Sequence, residues 1–310
     1  MPSDRLRHLL TLDGLGADRI HALLDAAEAL RGAALGGQRL RGVLAGRTVC
    51  NLFFENSTRT RSSFQLAAQR LGADVLNFDV SASSVSKGES AQDTLRTLEA
   101  MGIAAFVVRH GEDGAVAALA AAARPRTVLV NAGDGRSDHP TQGLLDLLTI
   151  RQRKGADFGR LAVLIVGDLR HSRVARSALH GLRQLGCTDL RLCAPPGLLP
   201  EPGTLGTCRA GHDLDAMLDG VDVVMALRLQ RERMVEGSVP SPAAYFAEYG
   251  LDARRLARAK PDAIVMHPGP MNRGVEIADA VADGPQSVVL DQVANGVAVR
   301  MAVLAHLLGS

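Results

Sequence analysis

Aromatic residues are scarce in this chain of 310 residues: Phe, Trp and Tyr make up 3%, with no Trp and two Tyr. Nucleic-acid-binding surfaces join basic runs to stacking rings. Here the net charge is only +2 and no Lys- or Arg-rich run interleaves with aromatics, which excludes that class. A stretch of about 18 uninterrupted apolar residues is also missing, which excludes a membrane-spanning helix of the usual kind. The first residues, Met1-Pro2-Ser3-Asp4-Arg5-Leu6-Arg7-His8, lack the apolar core of a secretory signal, so a cytoplasmic location is expected. The four cysteines, Cys50, Cys187, Cys193 and Cys208, have neither C-x-x-C pairing nor a histidine pattern. Their spacing argues against zinc, and they are expected to be reduced and buried. Leu164-Ile165-Val166-Gly167-Asp168 looks like the first strand of a nucleotide-binding fold. The following Leu169-Arg170-His171-Ser172-Arg173-Val174 lacks the Gly-x-Gly-x-x-Gly turn that lets a backbone approach pyrophosphate, so a nicotinamide cofactor is not expected. A Gly-x-Ser-x-Gly elbow is absent too. The residues call for no metal and no cofactor.

What is present is the composition of a globular protein, 46% apolar and 22% charged, long enough for two domains. Strand-like runs alternate with helical patterns almost throughout. Candidate strands are 48–54, 74–78, 105–109, 127–131, 161–166, 189–192, 221–226 and 263–266. They are continuously apolar, as parallel strands covered on both faces are. The expected class is α/β, with two doubly wound parallel-sheet domains in series and an active-site cleft between them. A helix over 140–154 carries Leu144, Leu145, Leu147, Leu148 and Ile150 on more than one stripe and marks the boundary. The domains are therefore placed at 1–145 and 146–285. A last helix, 286–310, is apolar at Val289, Val293, Val297 and Leu304.

The most informative stretch is Phe53-Phe54-Glu55-Asn56-Ser57-Thr58-Arg59-Thr60-Arg61-Ser62-Ser63-Phe64. An apolar strand leads into small hydroxyl residues. A helical pattern follows with Phe64, Ala67, Ala68 and Leu71 on one face and Gly72 as its stop. The Ser-Thr-Arg-Thr turn thus sits at a helix N-terminus, where unpaired N–H groups and the dipole favour an anion. Two hydroxyls and a guanidinium add donors suited to phosphate or carboxylate oxygens. Other polar blocks also fall after strands: Arg109, His139, Arg228 and His267.

Ser57-Thr58-Arg59-Thr60-Arg61 after Phe-Phe-Glu resembles the carbamoyl-phosphate signature of the aspartate/ornithine carbamoyltransferase family. Further blocks of that family follow in order: Lys87-Gly88-Glu89-Ser90, Val107-Val108-Arg109-His110, Asn131-Ala132-Gly133-Asp134-Gly135, His139-Pro140-Thr141-Gln142, Gly167-Asp168-Leu169, Arg228-Leu229-Gln230 and His267-Pro268-Gly269-Pro270. The resemblance covers nearly the whole chain. It implies that Ser57, Thr58, Arg59 and Thr60 hold the phosphate, and that Arg109 bridges phosphate and carbonyl oxygen. Thr60 and His139 then point at that oxygen, while Gln142 and the backbone near Pro268 and Gly269 hold the carbamoyl amide. Carbonyl polarisation by fixed donors needs no covalent nucleophile.

The resemblance further implies Arg173 and Arg228 for the two carboxylates of an aspartate acceptor, with Gln230 beside them. Two guanidiniums forking two carboxylates suit a dicarboxylic amino acid. Met266-His267-Pro268-Gly269-Pro270 stands where the ornithine branch carries His-Cys-Leu-Pro, which also favours aspartate. Gly269 replaces the bulkier residue common between those prolines. A loop carrying Lys87 and Ser83, or alternatively Ser84, is expected to reach the neighbouring subunit's site in a trimer, so that Lys87 contacts both substrates. Glu55, Arg173 and Arg233 correspond to an interdomain set that holds closure, and the last helix is expected to cross back onto the first domain. The implied reaction converts carbamoyl phosphate and L-aspartate to N-carbamoyl-L-aspartate and phosphate in pyrimidine synthesis. The rivals are an ornithine-type acceptor or a catalytically silent scaffold. Association with regulatory chains or with dihydroorotase is left open, although family members with the pattern of Pro270-Met271-Asn272-Arg273 often keep the latter company.

Overall fold

The computed structural model describes residues 6–40, 42–79, 88–229 and 241–309. Ser83, Ser84, Lys87, Gln230 and Arg233 lie outside the described residues. The chain divides into two compact units, one of residues 1–145 with 294–310 and one of residues 146–293.

In the first unit the order is α1 (Ala17–Gly36), β1 (Thr48–Phe53), α2 (Thr58–Arg70), β2 (Asp74–Asp79), α3 (Ala91–Ala100), β3 (Ala105–His110), α4 (Ala115–Ala122) and β4 (Val128–Asp134). The strands form a parallel sheet ordered β2-β1-β3-β4. Side chains alternate across a strand, so Cys50, Leu52, Phe106, Val108 and Leu129 share one face. They pack with Leu95 and Leu98 of α3 and Val116, Leu119 and Ala120 of α4. Val49, Phe53 and Val107 of the other face are buried too, which is why these runs read as continuously apolar. Phe64, Ala67 and Ala68 of α2 and Leu71 just beyond it are buried, and Gly72 turns the chain at a φ of 88°.

One segment before α1 joins the sheet. Leu9 pairs in parallel with Val130, giving Leu9 N to Leu129 O at 3.0 Å and Asn131 N to Leu9 O at 2.9 Å. This covers the exposed edge of β4, which would otherwise present unpaired backbone groups.

Helix α5 (Pro140–Lys154) is the boundary helix. The second unit continues with β5 (Ala162–Val166), α6 (Arg173–Gln184), β6 (Asp189–Cys193), β7 (Arg209–Gly211), α7 (Leu214–Leu218), β8 (Val223–Ala226), α8 (Pro242–Tyr249), α9 (Ala253–Leu256), β9 (Ile264–Met266), α10 (Asp279–Ala282) and α11 (Val289–Leu308). Its sheet is parallel, ordered β7-β6-β5-β8-β9. Strand β7 was not expected from sequence, since Arg209-Ala210-Gly211 is an edge strand with no apolar signal. Buried Lys154 at the end of α5 ties Asp262 at 2.6 Å and Asp222 at 3.6 Å, the latter also held by Lys260 at 2.8 Å.

Helix α11 starts in the second unit and from Ala294 belongs to the first. Val293, expected on its apolar stripe, is exposed, as is Leu290. Cys50, Cys187 and Cys193 are free and buried as expected, whereas Cys208 is half-buried against the Arg183 guanidinium. Burial pushes the thiols of the first three up to about 12. Among the described residues no helix is long and apolar enough to cross a membrane.

Candidate active site

Open parallel sheets bind ligands beyond the carboxyl ends of strands where the winding reverses. In the first unit that point lies between β1 and β3. Strand β1 delivers the chain to Ser57, the N-cap of α2, with extended backbone (φ −159°) and no hydrogen bond from its side chain to the helix. The first helical bond, Arg61 N to Ser57 O, is 3.1 Å. The N–H groups of Thr58, Arg59 and Thr60 therefore fall in the first turn, which has no intrahelical acceptors. Thr60 is buried, Ser57 half-buried, and Thr58 and Arg59 exposed. Arg61 instead packs its guanidinium over the Phe53 ring at 5.4 Å, which separates its role from that of Arg59.

Arg109 sits abreast of Phe53 in the sheet, at the same strand ends as this turn. Its Nη1 donates to Ala132 O at 3.0 Å and its Nη2 to Glu55 Oε1 at 3.2 Å. The expected closure residue Glu55 is thus held by the expected phosphate residue Arg109. From β4 the chain turns through Asp134, whose N–H donates to Asp138 O at 2.9 Å, into His139 and α5. His139 and Gln142 are both buried and one turn apart, with Gln142 N donating to His139 O at 2.9 Å. Asp134 supplies its Oδ2 to Gly114 N at the start of α4, and burial pushes its carboxyl up.

In the second unit the reversal lies between β5 and β8. Gly167 follows β5 at a φ of 129°, and a Cβ there would meet Leu227 O at 2.9 Å. Glycine thus serves the close approach of two strand ends. Ser172 caps α6 by accepting from Ala175 N at 3.1 Å, which makes buried Arg173 its first helical residue. Arg228 follows β8 and is half-buried. After β9, His267 Nδ1 accepts from Gly269 N at 2.9 Å, which leaves its proton on Nε2. The half-buried Pro268 and Gly269 sit in that turn.

Sequence reasoning gave no role to Glu276. This buried carboxylate accepts from Leu229 N at 2.8 Å, Asn272 N at 2.8 Å and Asn272 Nδ2 at 2.7 Å. It ties the residue after Arg228 to the chain that follows the His267 turn. Burial raises its carboxyl pKa even so. Asp168 was also missed as an organiser: it accepts from His171 N at 3.1 Å and contacts His171 Nδ1 at 2.9 Å. No pattern in the sequence signals either role, since both rest in part on backbone N–H partners that nearly every residue type carries. Among the described residues no group of three His, Cys, Asp or Glu side chains is placed to hold a metal.

Each unit thus places two arginines at or just past the ends of strands that flank its winding reversal: Arg59, on the first turn of α2, and Arg109 in the first unit, Arg173 and Arg228 in the second. Comparison with known proteins matches residues 7–152 to the carbamoyl-P binding domain and residues 160–307 to the Asp/Orn binding domain of one family. The chain belongs to the aspartate/ornithine carbamoyltransferase family. Within it, the chain is 67% identical over 309 residues to the aspartate carbamoyltransferase catalytic subunit of Stenotrophomonas maltophilia K279a, covering 99% of this chain and 98% of that one. It is also 67% identical to the subunit of that name from Xanthomonas axonopodis pv. citri, covering 98% and 97%. Among solved structures of the family, it resembles aspartate transcarbamoylase from Trypanosoma cruzi in complex with carbamoyl aspartate and phosphate. The TM-score is 0.86 at 34% identity, covering 98% of this chain and 96% of that one. Ornithine carbamoyltransferase from Thermus thermophilus is as similar in fold, with a TM-score of 0.85 at 28% identity, covering 98% and 99%.

Proposed function

We propose that this chain is an aspartate carbamoyltransferase catalytic chain, carrying a carbamoyl group from carbamoyl phosphate to the amine of L-aspartate in pyrimidine biosynthesis. The observation that carries this reading is the 67% identity, across nearly the whole chain, to subunits of that name. Fold similarity alone does not choose the acceptor, because the ornithine enzyme scores as well.

In this reading the neutral amine of aspartate attacks the carbonyl carbon. The carbon–oxygen bond to phosphate then breaks, phosphate leaves with the electron pair, and the amine gives up one proton to the departing phosphate. The first turn of α2 and the Arg59 side chain bind the phosphate, as anions bind at helix N-termini. Arg109, Thr60 and His139 donate to the carbonyl oxygen as negative charge grows on it, the term worth most in acyl transfer. Gln142 and the carbonyls of Pro268 and Gly269 orient the amide. Arg173 and Arg228, with Gln230, take the two carboxylates of aspartate. Glu55, Arg173 and Arg233 hold closure. Lys87 and Ser83 come from the neighbouring subunit of a homotrimer working in the cytoplasm.

Phosphate release is to be assayed with carbamoyl phosphate and aspartate, ornithine or acetylornithine in parallel. Release with aspartate alone is expected. Release with ornithine would make this an enzyme of the other branch, and none with any acceptor would make it a silent homologue.

A further inference from the structure

The block Asn131-Ala132-Gly133-Asp134-Gly135 has no task in the reaction above, yet its first residue is 1% exposed and hydrogen-bonded at both ends of its amide. The step from Val108 to His110 on β3 is matched by the longer step from Asn131 to Asp134 on β4. Ala132 and Gly133 therefore stand opposite Arg109 alone, a bulge of the kind that re-aims groups beside active sites. Asn131 Oδ1 closes this bulge by accepting from Gly133 N at 2.8 Å. Gly133 takes a φ of 128°, which a side chain would resist. The bend aims the Ala132 carbonyl at Arg109 Nη1, 3.0 Å away.

Asn131 is held from its other end as well. Its Nδ2 donates to Leu10 O at 2.8 Å, and its backbone N–H to Leu9 O at 2.9 Å. One residue on, Thr11 Oγ1 donates to Asp138 Oδ1 at 3.1 Å, immediately before His139. The segment ahead of α1 thus grips β4 before the bulge and the turn that follows β4.

We infer that Asn131 is a positioning residue of the carbamoyl-phosphate site, fixing the Ala132 carbonyl that orients the Arg109 guanidinium. The inference rests on the reading of Arg109 given above. A side-chain acceptor two residues before an N–H is a self-contained turn, so its loss relaxes the bulge without unmaking the sheet.

The test is a double-mutant cycle on carbamoyl-phosphate affinity, measured by titration calorimetry on the full chain. Asn131→Ala should weaken binding about tenfold in the wild-type background, the size of one coupled hydrogen bond. In the Arg109→Ala background it should change affinity less than about twofold, because no guanidinium remains to be aimed. An equal loss in both backgrounds would overturn the inference and assign Asn131 to general stability. If Arg109→Ala alone binds carbamoyl phosphate as the wild type does, the failure lies in the role of Arg109 itself. Asn131→Ser serves where the alanine protein does not fold. Its hydroxyl accepts from Gly133 N but loses the tie to Leu10, so the melting temperature should fall while affinity stays within about threefold. A tenfold loss of affinity in that variant would overturn the inference equally.

Discussion

The guanidinium of Arg109 lies 3.2 Å from the carboxylate of Glu55, so a cation assigned to an anionic substrate already carries an internal anion. The pair is only partly exposed and correspondingly little screened. In the proposed reading, phosphate displaces this carboxylate or shares its partner. Glu55→Gln, close in shape but neutral, should therefore bind inorganic phosphate about threefold more tightly at low salt, the scale of a partly exposed ion pair. Unchanged or weaker binding would show that Glu55 does not compete for Arg109.

Arg59→Ala should lower turnover by orders of magnitude with little change in melting temperature. The residue is exposed at the N-terminus of α2, so folding loses little. A missing donor to developing charge costs roughly 3 kcal/mol or more of transition-state stabilisation. Wild-type turnover would remove Arg59 from the phosphate site, and a collapse in stability would make it structural.

Arg228 belongs to the other unit. Arg228→Ala should raise the aspartate KM and lower turnover, while calorimetric affinity for carbamoyl phosphate stays within about twofold, as independent sites behave. If both affinities fell together, the division of substrates between the two sheets would be wrong.

Subunit sharing is tested by mixing inactive proteins. Lys87→Ala and Arg59→Ala should each be nearly inactive. Under subunit exchange, hybrid trimers should regain activity at about one site in three, where an intact Arg59 meets an intact Lys87 across an interface. No recovery, with exchange confirmed by native mass spectrometry, would confine Lys87 to its own chain.

His8 makes a pH test of the edge segment. Its Nδ1 accepts from Leu129 N at 3.0 Å, and burial, then the charge of Arg7, hold its pKa down from 6.5 to about 4. The unfolded chain takes the proton first as pH falls. Stability contributed by the neutral ring is complete above pH 6.5 and is lost as pH drops towards 4. His8→Asn keeps an acceptor near the position of Nδ1 and does not titrate. Its melting temperature should fall less steeply than that of the wild type between those pH values. Parallel curves would exclude His8 as a contributor.

The start of α2 at Ser57 was legible because three local signals coincide there: an apolar strand, hydroxyl residues and a helix stopped by Gly72. Helix α5 could be read because its leucines are buried on several sides. What stayed hidden has a common cause. The pairing of Leu9 with Val130, the tie of Asn131 to Leu10 and the grip of Glu276 on Leu229 all join side chains or backbone to distant backbone groups. Every residue type carries those groups, so no pattern of residues announces them. Strand β7 was missed for a related reason, since an edge strand of three residues gains its place from Arg191, Leu192 and Cys193 of β6 rather than from its own side chains.

The two passages of the chain between the units, after Leu145 and again after Val293, bear on how the protein can be divided. A fragment ending at residue 145 would lack the stretch that puts Arg300 over the Phe64 ring at 5.1 Å and Asn295 beside Arg31 at 3.3 Å. Its complement would end in a helical tail severed from its packing partners. Neither half is a cassette that recombination could move intact.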